Sequence, residues 1–290
     1  MTTLTVDSVG VLALLEDGGR CGLAHLGVGR SGAADHTSYD LANRLVGNRP
    51  GAACIETTLG RLEFRLAATS LIAVTGAPVA VRCGTRAQSV NTAFAAGAGE
   101  VVSLGAPDCG LRTYVAVRGG ITGAAVLGSA SWDTMAQLGT PPLSAGDVLA
   151  IGDGAGDWPA ADHAPVAPME SASIELPLLL GPRDDWFTAT ALDRLATHRF
   201  VVSSDADRVG IRLDGPHLTR RRSGELASEG VAVGALQVPT RGRPTLFLAD
   251  APVTGGYPVI GVVPRAGVDR AAQAVPGTCI QFRPIRAGAV

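Results

Sequence analysis

Glycine and proline recur so often between short apolar runs that little of this chain can form a long helix; the punctuation constrains the fold more than any other feature. Over 290 residues there are 38 glycines and 18 prolines. The runs between them are β-branched or leucine-rich and predict strands at Leu62–Leu66, Ser70–Val74, Val79–Arg82, Glu100–Leu104, Arg112–Val117 and Asp147–Ile151. After a break the same pattern resumes at Ile174–Leu180, Arg199–Val202, Gly210–Leu213, Leu236–Val238, Thr245–Leu248, Val259–Val263 and Thr278–Phe282. The opening residues to Leu15 predict a first strand or hairpin. Many short strands separated by turn residues point to a mainly β, barrel-rich or sandwich fold with a few short helices. Helices are predicted over His36–Val46, with Asp35 as N-cap and Gly47 just past the end, and over Asp184–Thr197, with a weaker turn at Val268–Val275. The Gly-, Ala- and Pro-rich stretch 153–173 reads as a linker between β-rich lobes at 1–152 and 174–290.

Charge excludes several functions. All 24 basic residues are arginine, so covalent biotin, a phosphate-loop lysine or a Schiff-base nucleophile cannot reside on this chain. A net charge of −2 leaves no footprint for nucleic acid, and no apolar stretch has the length of a membrane span. The five cysteines (Cys21, Cys54, Cys83, Cys109 and Cys279) are dispersed without metal-ligand spacing and read as reduced thiols in a cytoplasm. His25 and His36 flank the glycine loop without a metal partner at ligand spacing, and His163 lies in the expected linker. With 46% hydrophobic and 17% charged residues, part of the surface is expected to be an interface.

Three clusters carry candidate chemistry. The first is Gly27-Val-Gly-Arg-Ser-Gly-Ala-Ala-Asp35, followed by Asn43, Gly47-Asn48 and Glu56; a glycine-dense loop entering a helix can present backbone N–H groups to an anion. The second, Val202 to Gly215, contains Asp207-Arg208, whose guanidinium fork suits carboxylates and phosphates. The third joins Glu229 and Gln237 to Asp250 and Thr254-Gly255-Gly256-Tyr257-Pro258, a donor–acceptor mix suited to a small amide. Each cluster alone also has a plain structural reading as turn, cap or hairpin chemistry.

Together, in this order, the clusters resemble the KipA or allophanate hydrolase subunit 2 family, which includes the C subunit of 5-oxoprolinase and part of the carboxyltransferase region of urea carboxylase. Tyr114-Val-Ala-Val-Arg-Gly-Gly-Ile121, Val126-Leu-Gly-Ser129 and Leu180-Gly-Pro-Arg-Asp-Asp-Trp-Phe187 extend the resemblance from Asp17 to Phe282. It departs at Ala34, where the family has methionine, and at Ala251-Pro-Val253, where polar residues are usual; both bear on substrate identity.

The resemblance implies a cyclophilin-like, barrel-rich fold in two lobes. It also implies a subunit 1 homologue of KipI type as partner, and in 5-oxoprolinase a third, lactam-utilisation protein (its A subunit). The implied activity is ATP-dependent opening of 5-oxoproline to glutamate, with the ATP site on or shared with a partner. The expected site lies where the two lobes meet or against subunit 1. Asp250, Tyr257 and Glu229 are its candidate catalytic residues; Asp35, Asn43, Asn48, Asp207, Arg208, Gln237, Thr254, Gly255 and Gly256 its candidate substrate-binding residues. The alternatives are a carboxyltransferase component of a biotin-dependent urea carboxylase, and a regulator that binds a KipI-like kinase inhibitor.

Overall fold

The computed structural model describes residues 2–169, 172–224 and 226–285. The chain forms two compact units: Met1–Arg20 with Ser31–Met169, and Cys21–Arg30 with Glu170–Val290. The glycine-rich segment 21–30 therefore groups with the C-terminal unit, although the rest of its cluster belongs to the first.

The first unit contains β1 (Thr3–Ser8), β2 (Leu12–Glu16), helix α1 (His36–Leu45), β3 (Cys54–Thr58), β4 (Glu63–Leu66), β5 (Ser70–Gly76), β6 (Val79–Cys83), β7 (Arg86–Gln88), β8 (Thr92–Ala96), β9 (Val101–Pro107), β10 (Arg112–Val117), β11 (Ile121–Thr122) and β12 (Val148–Ile151). A seven-stranded sheet runs β11-β12-β1-β4-β9-β6-β7, and a five-stranded sheet runs β2-β3-β10-β5-β8. The expected N-terminal hairpin is not formed: β1 pairs β4 and β12, whereas β2 pairs β3 in the other sheet. Leu4 and Val6, Phe64 and Leu66, and Val115 and Val117 share one core with Ile55, Ile72 and Val74.

Strand β10 is buried along its whole length. Its alternate residues Tyr114 and Ala116 turn away from that core and pack with Tyr39, Ala42 and Leu45 of α1. A strand covered on both faces has no reason to alternate polar and apolar residues, and Arg112-Thr-Tyr-Val-Ala-Val117 does not. Helix α1 starts where Asp35 Oδ1 accepts from the Ser38 N–H at 3.0 Å. It ends before Gly47, which sits at φ 66°, a left-handed conformation at which a Cβ would run into the Asp157 carbonyl.

The second unit is a closed barrel in the order β13 (Ser173–Leu180), β20 (Val259–Val262), β17 (Ala235–Gln237), β18 (Thr245–Phe247), β15 (Gly210–Asp214), β14 (Arg199–Val202), β21 (Cys279–Ile285). Closure comes from the parallel pair β13–β21, and it removes the exposed strand edges an open sheet would leave. Ile174, Leu176 and Leu178 of β13 point inward, where Phe200 and Phe282 meet edge-to-face at 5.7 Å between ring centroids. Each such buried phenylalanine contributes roughly 1.5–3 kcal/mol. A short ladder of β16 (Glu229–Gly230) with β19 (Thr254–Gly255) stands outside the barrel. Helix α2 covers Ala189–Thr197 and α3 covers Arg265–Ala271. The predicted helix over Asp184–Thr197 is thus divided: Asp184–Trp186 is a 3-10 turn, Phe187 is extended, and Thr188 Oγ1 caps α2 by accepting from the Ala191 N–H at 3.1 Å.

The stretch expected as a linker is instead held against the first unit as far as residue 164. Ala93 N–H donates to Asp162 O (2.6 Å), Ala164 N–H to Asn91 O (3.0 Å), and Arg118 stacks on Trp158 at 4.0 Å while donating to Gly156 O. Residues 170 and 171 of that stretch, and 286–290 at the end of the expected C-terminal lobe, lie outside the described residues.

Candidate functional site

In the first unit the candidate polar residues are engaged by the chain itself. Asp35 is buried; besides capping α1 it accepts from Ser38 Oγ at 2.7 Å. Its N–H donates to the Tyr114 hydroxyl (2.8 Å), which donates to Glu56 Oε2 (2.8 Å); the Ala34 N–H reaches the same oxygen at 3.0 Å. Arg112 Nε lies 3.4 Å from Glu56 Oε1. Burial pushes the Tyr114 phenol well above its ordinary pKa, so it stays a proton donor. Asn43 donates to Ala52 O (2.9 Å) and accepts from Asn48 (2.8 Å). Asn48 also donates to Val117 O and accepts from the Gly119 N–H at 2.7 Å. These amides knit the end of α1 to β10 and the turn after it. The sequence pattern did not mark Glu56 as the centre of this network, although an acid inside an apolar strand is the expected sign of a paired buried charge.

In the second unit, strand register separates the candidates into two groups. Gly210 pairs with Phe247, and Arg212 with Thr245. Gln237 pairs with Thr245 on one side and Val259 on the other. Asp207 and Arg208, just before β15, and Asp250, just after β18, therefore sit at one end of the barrel. Gln237 and the residues leading into β20, including Tyr257, sit at the other. Arg208 lies four residues of chain before the register position Arg212, roughly 13 Å if extended.

At the first end, Arg208 Nε is 3.1 Å and its second nitrogen 3.4 Å from the Asp250 carboxylate, and both side chains are buried. Asp207 is exposed and accepts from the Val209 and Gly210 N–H groups at 2.9 and 3.0 Å, closing the turn into β15. Asp250 and Arg208, expected alongside Tyr257, are held together in a strand-end pair because neither charge can be buried alone.

The opposite end gathers Glu229, Gln237, Thr254, Gly255, Gly256 and Tyr257. Gly255 faces Glu229 in the β16–β19 ladder, and a Cβ on Gly255 would come within 2.7 Å of Gln237 Nε2. Gln237 donates to Tyr257 O at 3.2 Å. Glu229 accepts from Arg183 Nε at 3.1 Å and also from its terminal nitrogen; this hydrogen-bonded guanidinium holds the carboxyl below the usual carboxylate range. Tyr257 is 46% exposed and forms part of the wall of a cleft of about 610 Å³, with Arg212, Thr240, Arg241 and Arg243. Arg220 stands 5.7 Å from the Tyr257 ring centroid. The arginine run at 220–222 formed no part of the predicted site.

Among the described residues no group of His, Cys, Asp or Glu is arranged to hold a metal, and no helix is long and apolar enough to cross a membrane.

A β-sandwich with a helix on its outer sheet and a closed barrel carrying a polar mouth define a mainly β protein of two units. The family described as "Carboxyltransferase domain, subdomain A and B" matches residues 26–284, and the chain belongs to it. The chain is 33% identical over 282 residues to the C subunit of 5-oxoprolinase from Escherichia coli (strain K12), covering 96% of this chain and 90% of that one. To urea amidolyase of Lachancea kluyveri it is 29% identical over 306 residues, covering 97% of this chain but 17% of the larger protein. The crystal structure of K. lactis urea amidolyase superposes with a TM-score of 0.92 at 26% identity, over 98% of this chain and 19% of that one.

Proposed function

We propose that this chain is one component of an ATP-dependent 5-oxoprolinase and opens the lactam of 5-oxoproline to glutamate only together with partner subunits. The observation that carries the reading is near full-length similarity, in both directions, to a protein named as one subunit of that enzyme. The polar mouth of the barrel is the part of the chain that meets substrate. A five-membered lactam closes readily on itself, so hydrolysis needs coupling to ATP. Transfer of the γ-phosphoryl group to the amide oxygen releases ADP and activates the carbonyl carbon. Water adds there, the C–N bond breaks as the ring nitrogen takes a proton, and hydrolysis of the resulting acyl phosphate gives glutamate and phosphate. Glu229, kept anionic by Arg183, accepts the lactam N–H. The Tyr257 hydroxyl donates to the amide oxygen as charge develops there, and Gln237 fixes the backbone that carries Tyr257. Asp35, Asn43, Asn48, Arg208 and Asp250 hold the scaffolds rather than the substrate. The partners are a KipI-like subunit 1 homologue and a lactam-utilisation protein, and the nucleotide binds on or against one of them.

A second reading has its own support in the similarity to urea amidolyase: the carboxyltransferase half of a urea carboxylase, with biotin arriving on another polypeptide because this one has no lysine. Reconstitution with the two partner subunits decides between them. Glutamate and ADP formed in equal amounts from 5-oxoproline and ATP, with none when this chain is omitted, is the expected result. Carboxylation of urea by a biotinylated partner, without lactam opening, would replace the first reading by the second.

A further inference from the structure

The barrel mouth has a second cavity beside Tyr257, and among the described residues its positive charge is only partly balanced. It encloses about 430 Å³ between the loop His217–Gly224 and the turn Thr240–Gly242, and shares Thr240 and Arg241 with the cleft that Tyr257 lines. Arg220, Arg221, Arg222 and Arg241 form its walls.

Several arginines of this unit meet carboxylates, Arg183 with Glu229, Arg208 with Asp250, Arg243 with Asp214 and Arg283 with Glu175, while Arg194 and Arg212 donate to carbonyls. Among the described residues, Arg222 alone of the cavity arginines meets a carboxylate, that of Asp185 at 2.5 Å. Arg220 and Arg221 donate to carbonyls, of Val238 (2.6 Å) and Asp185 (3.0 Å), which do not neutralise them. Among the described residues, Arg220 Nε is buried with no hydrogen-bond partner, and no carboxylate is in ion-pair range of Arg220, Arg221 or Arg241. Burial without an anion also pushes the Arg220 guanidinium below its ordinary pKa.

The walls are fixed rather than loose. Leu218 N–H bonds Gly242 O (3.0 Å), Arg221 N–H bonds Trp186 O (2.7 Å), Thr188 N–H bonds Thr219 O (3.1 Å), and Arg220 bridges Phe187. A backbone so held leaves only side-chain ordering to be met at binding.

We infer that the cavity between His217–Gly224 and Thr240–Gly242 is a binding site for a phosphate dianion, free or as the phosphoryl group of a nucleotide. Three guanidinium groups with no carboxylate among the described residues in ion-pair range favour a dianion with tetrahedral oxygens over a monocarboxylate, which would leave most of the repulsion in place. The inference goes beyond the lactam reading and does not require it, since the site is defined by charge and donors alone.

Isothermal titration of the full-length chain with inorganic phosphate, ATP and sodium acetate tests it, beside Arg241→Gln, Arg220→Gln and the distant control Arg283→Gln. Saturable phosphate binding is expected, weakened at least about tenfold in Arg241→Gln and Arg220→Gln and unchanged in Arg283→Gln. Arg241 is exposed, so its variant keeps the fold even where Arg220→Gln does not. Tighter binding of ATP than of phosphate assigns the site to a nucleotide; equal or weaker binding assigns it to a free phosphate or a phosphorylated intermediate. No saturable phosphate binding, acetate binding as tight as phosphate, or full affinity in Arg241→Gln overturns the inference, and none of these outcomes bears on glutamate formation by the complex.

Discussion

Replacing Asp250 by alanine should unfold the barrel before it affects any chemistry. The Arg208–Asp250 pair is bonded at 3.1 and 3.4 Å with side chains 4% and 0% exposed, and it ties the start of β15 to the end of β18. Removing the carboxylate takes from a buried guanidinium the partner it meets at 3.1 and 3.4 Å, a loss of about 3–5 kcal/mol. That is a large part of a typical domain's stability of roughly 5–15 kcal/mol. Arg208→Ala should cost a similar amount for the mirror reason. Arg208→Met with Asp250→Leu removes both charges and fills much of the space, so the double variant should lose far less than the sum of the two single alanine changes. Urea unfolding followed by tryptophan fluorescence reads the barrel through Trp186, which lies in its core. Single-variant losses below about 1 kcal/mol, adding without coupling, would show that the pair does not hold the strand ends and would leave Asp250 available as a reacting acid.

In the first unit, Tyr114→Phe removes a hydroxyl that serves both Glu56 and the Asp35 N–H, and should lower stability by about 2–4 kcal/mol. A loss under about 0.5 kcal/mol in urea titration would mean that water replaces the hydroxyl. Glu229 gives a pH test. Its carboxyl titrates below the usual value because of Arg183, so the stability linked to it is present above that usual value and fades as pH falls through the depressed one. Arg183→Gln should raise the Glu229 titration midpoint toward the ordinary carboxylate range in carbon-detected NMR, and an unmoved midpoint would exclude Arg183 as the cause.

Local features were legible in the sequence where they depended on near neighbours. The strands Arg112–Val117 and Arg199–Val202 stand as read, and α1 begins at Asp35 and stops before Gly47 because cap and left-handed glycine are short-range signals. Strand β3, Cys-Ile-Glu-Thr-Thr, was not among the predicted strands, and the groups that pair its glutamate, Tyr114 and Arg112, come from a strand distant in sequence. Strand β8 was hidden by alanines. The separation of Asp207, Arg208 and Asp250 from Gln237 and Tyr257 follows from barrel register, which depends on pairings distant in sequence. The stretch after Gly152 carries the composition of a linker, yet its backbone bonds to Asn91 and Ala93 near an edge strand. Composition reports the absence of a core-facing stripe but not a backbone ladder.

The claim that the barrel mouth meets the substrate is tested most directly by Tyr257→Phe in the reconstituted complex, with glutamate and ADP measured together. Tyr257 is half exposed and packs in no core cluster, so the fold should be unaffected. The expected result is a fall of about tenfold or more in kcat/KM for 5-oxoproline, the worth of one hydrogen bond made as charge develops. Normal turnover by this variant, or lactam opening by the chain alone without ATP, would contradict the account.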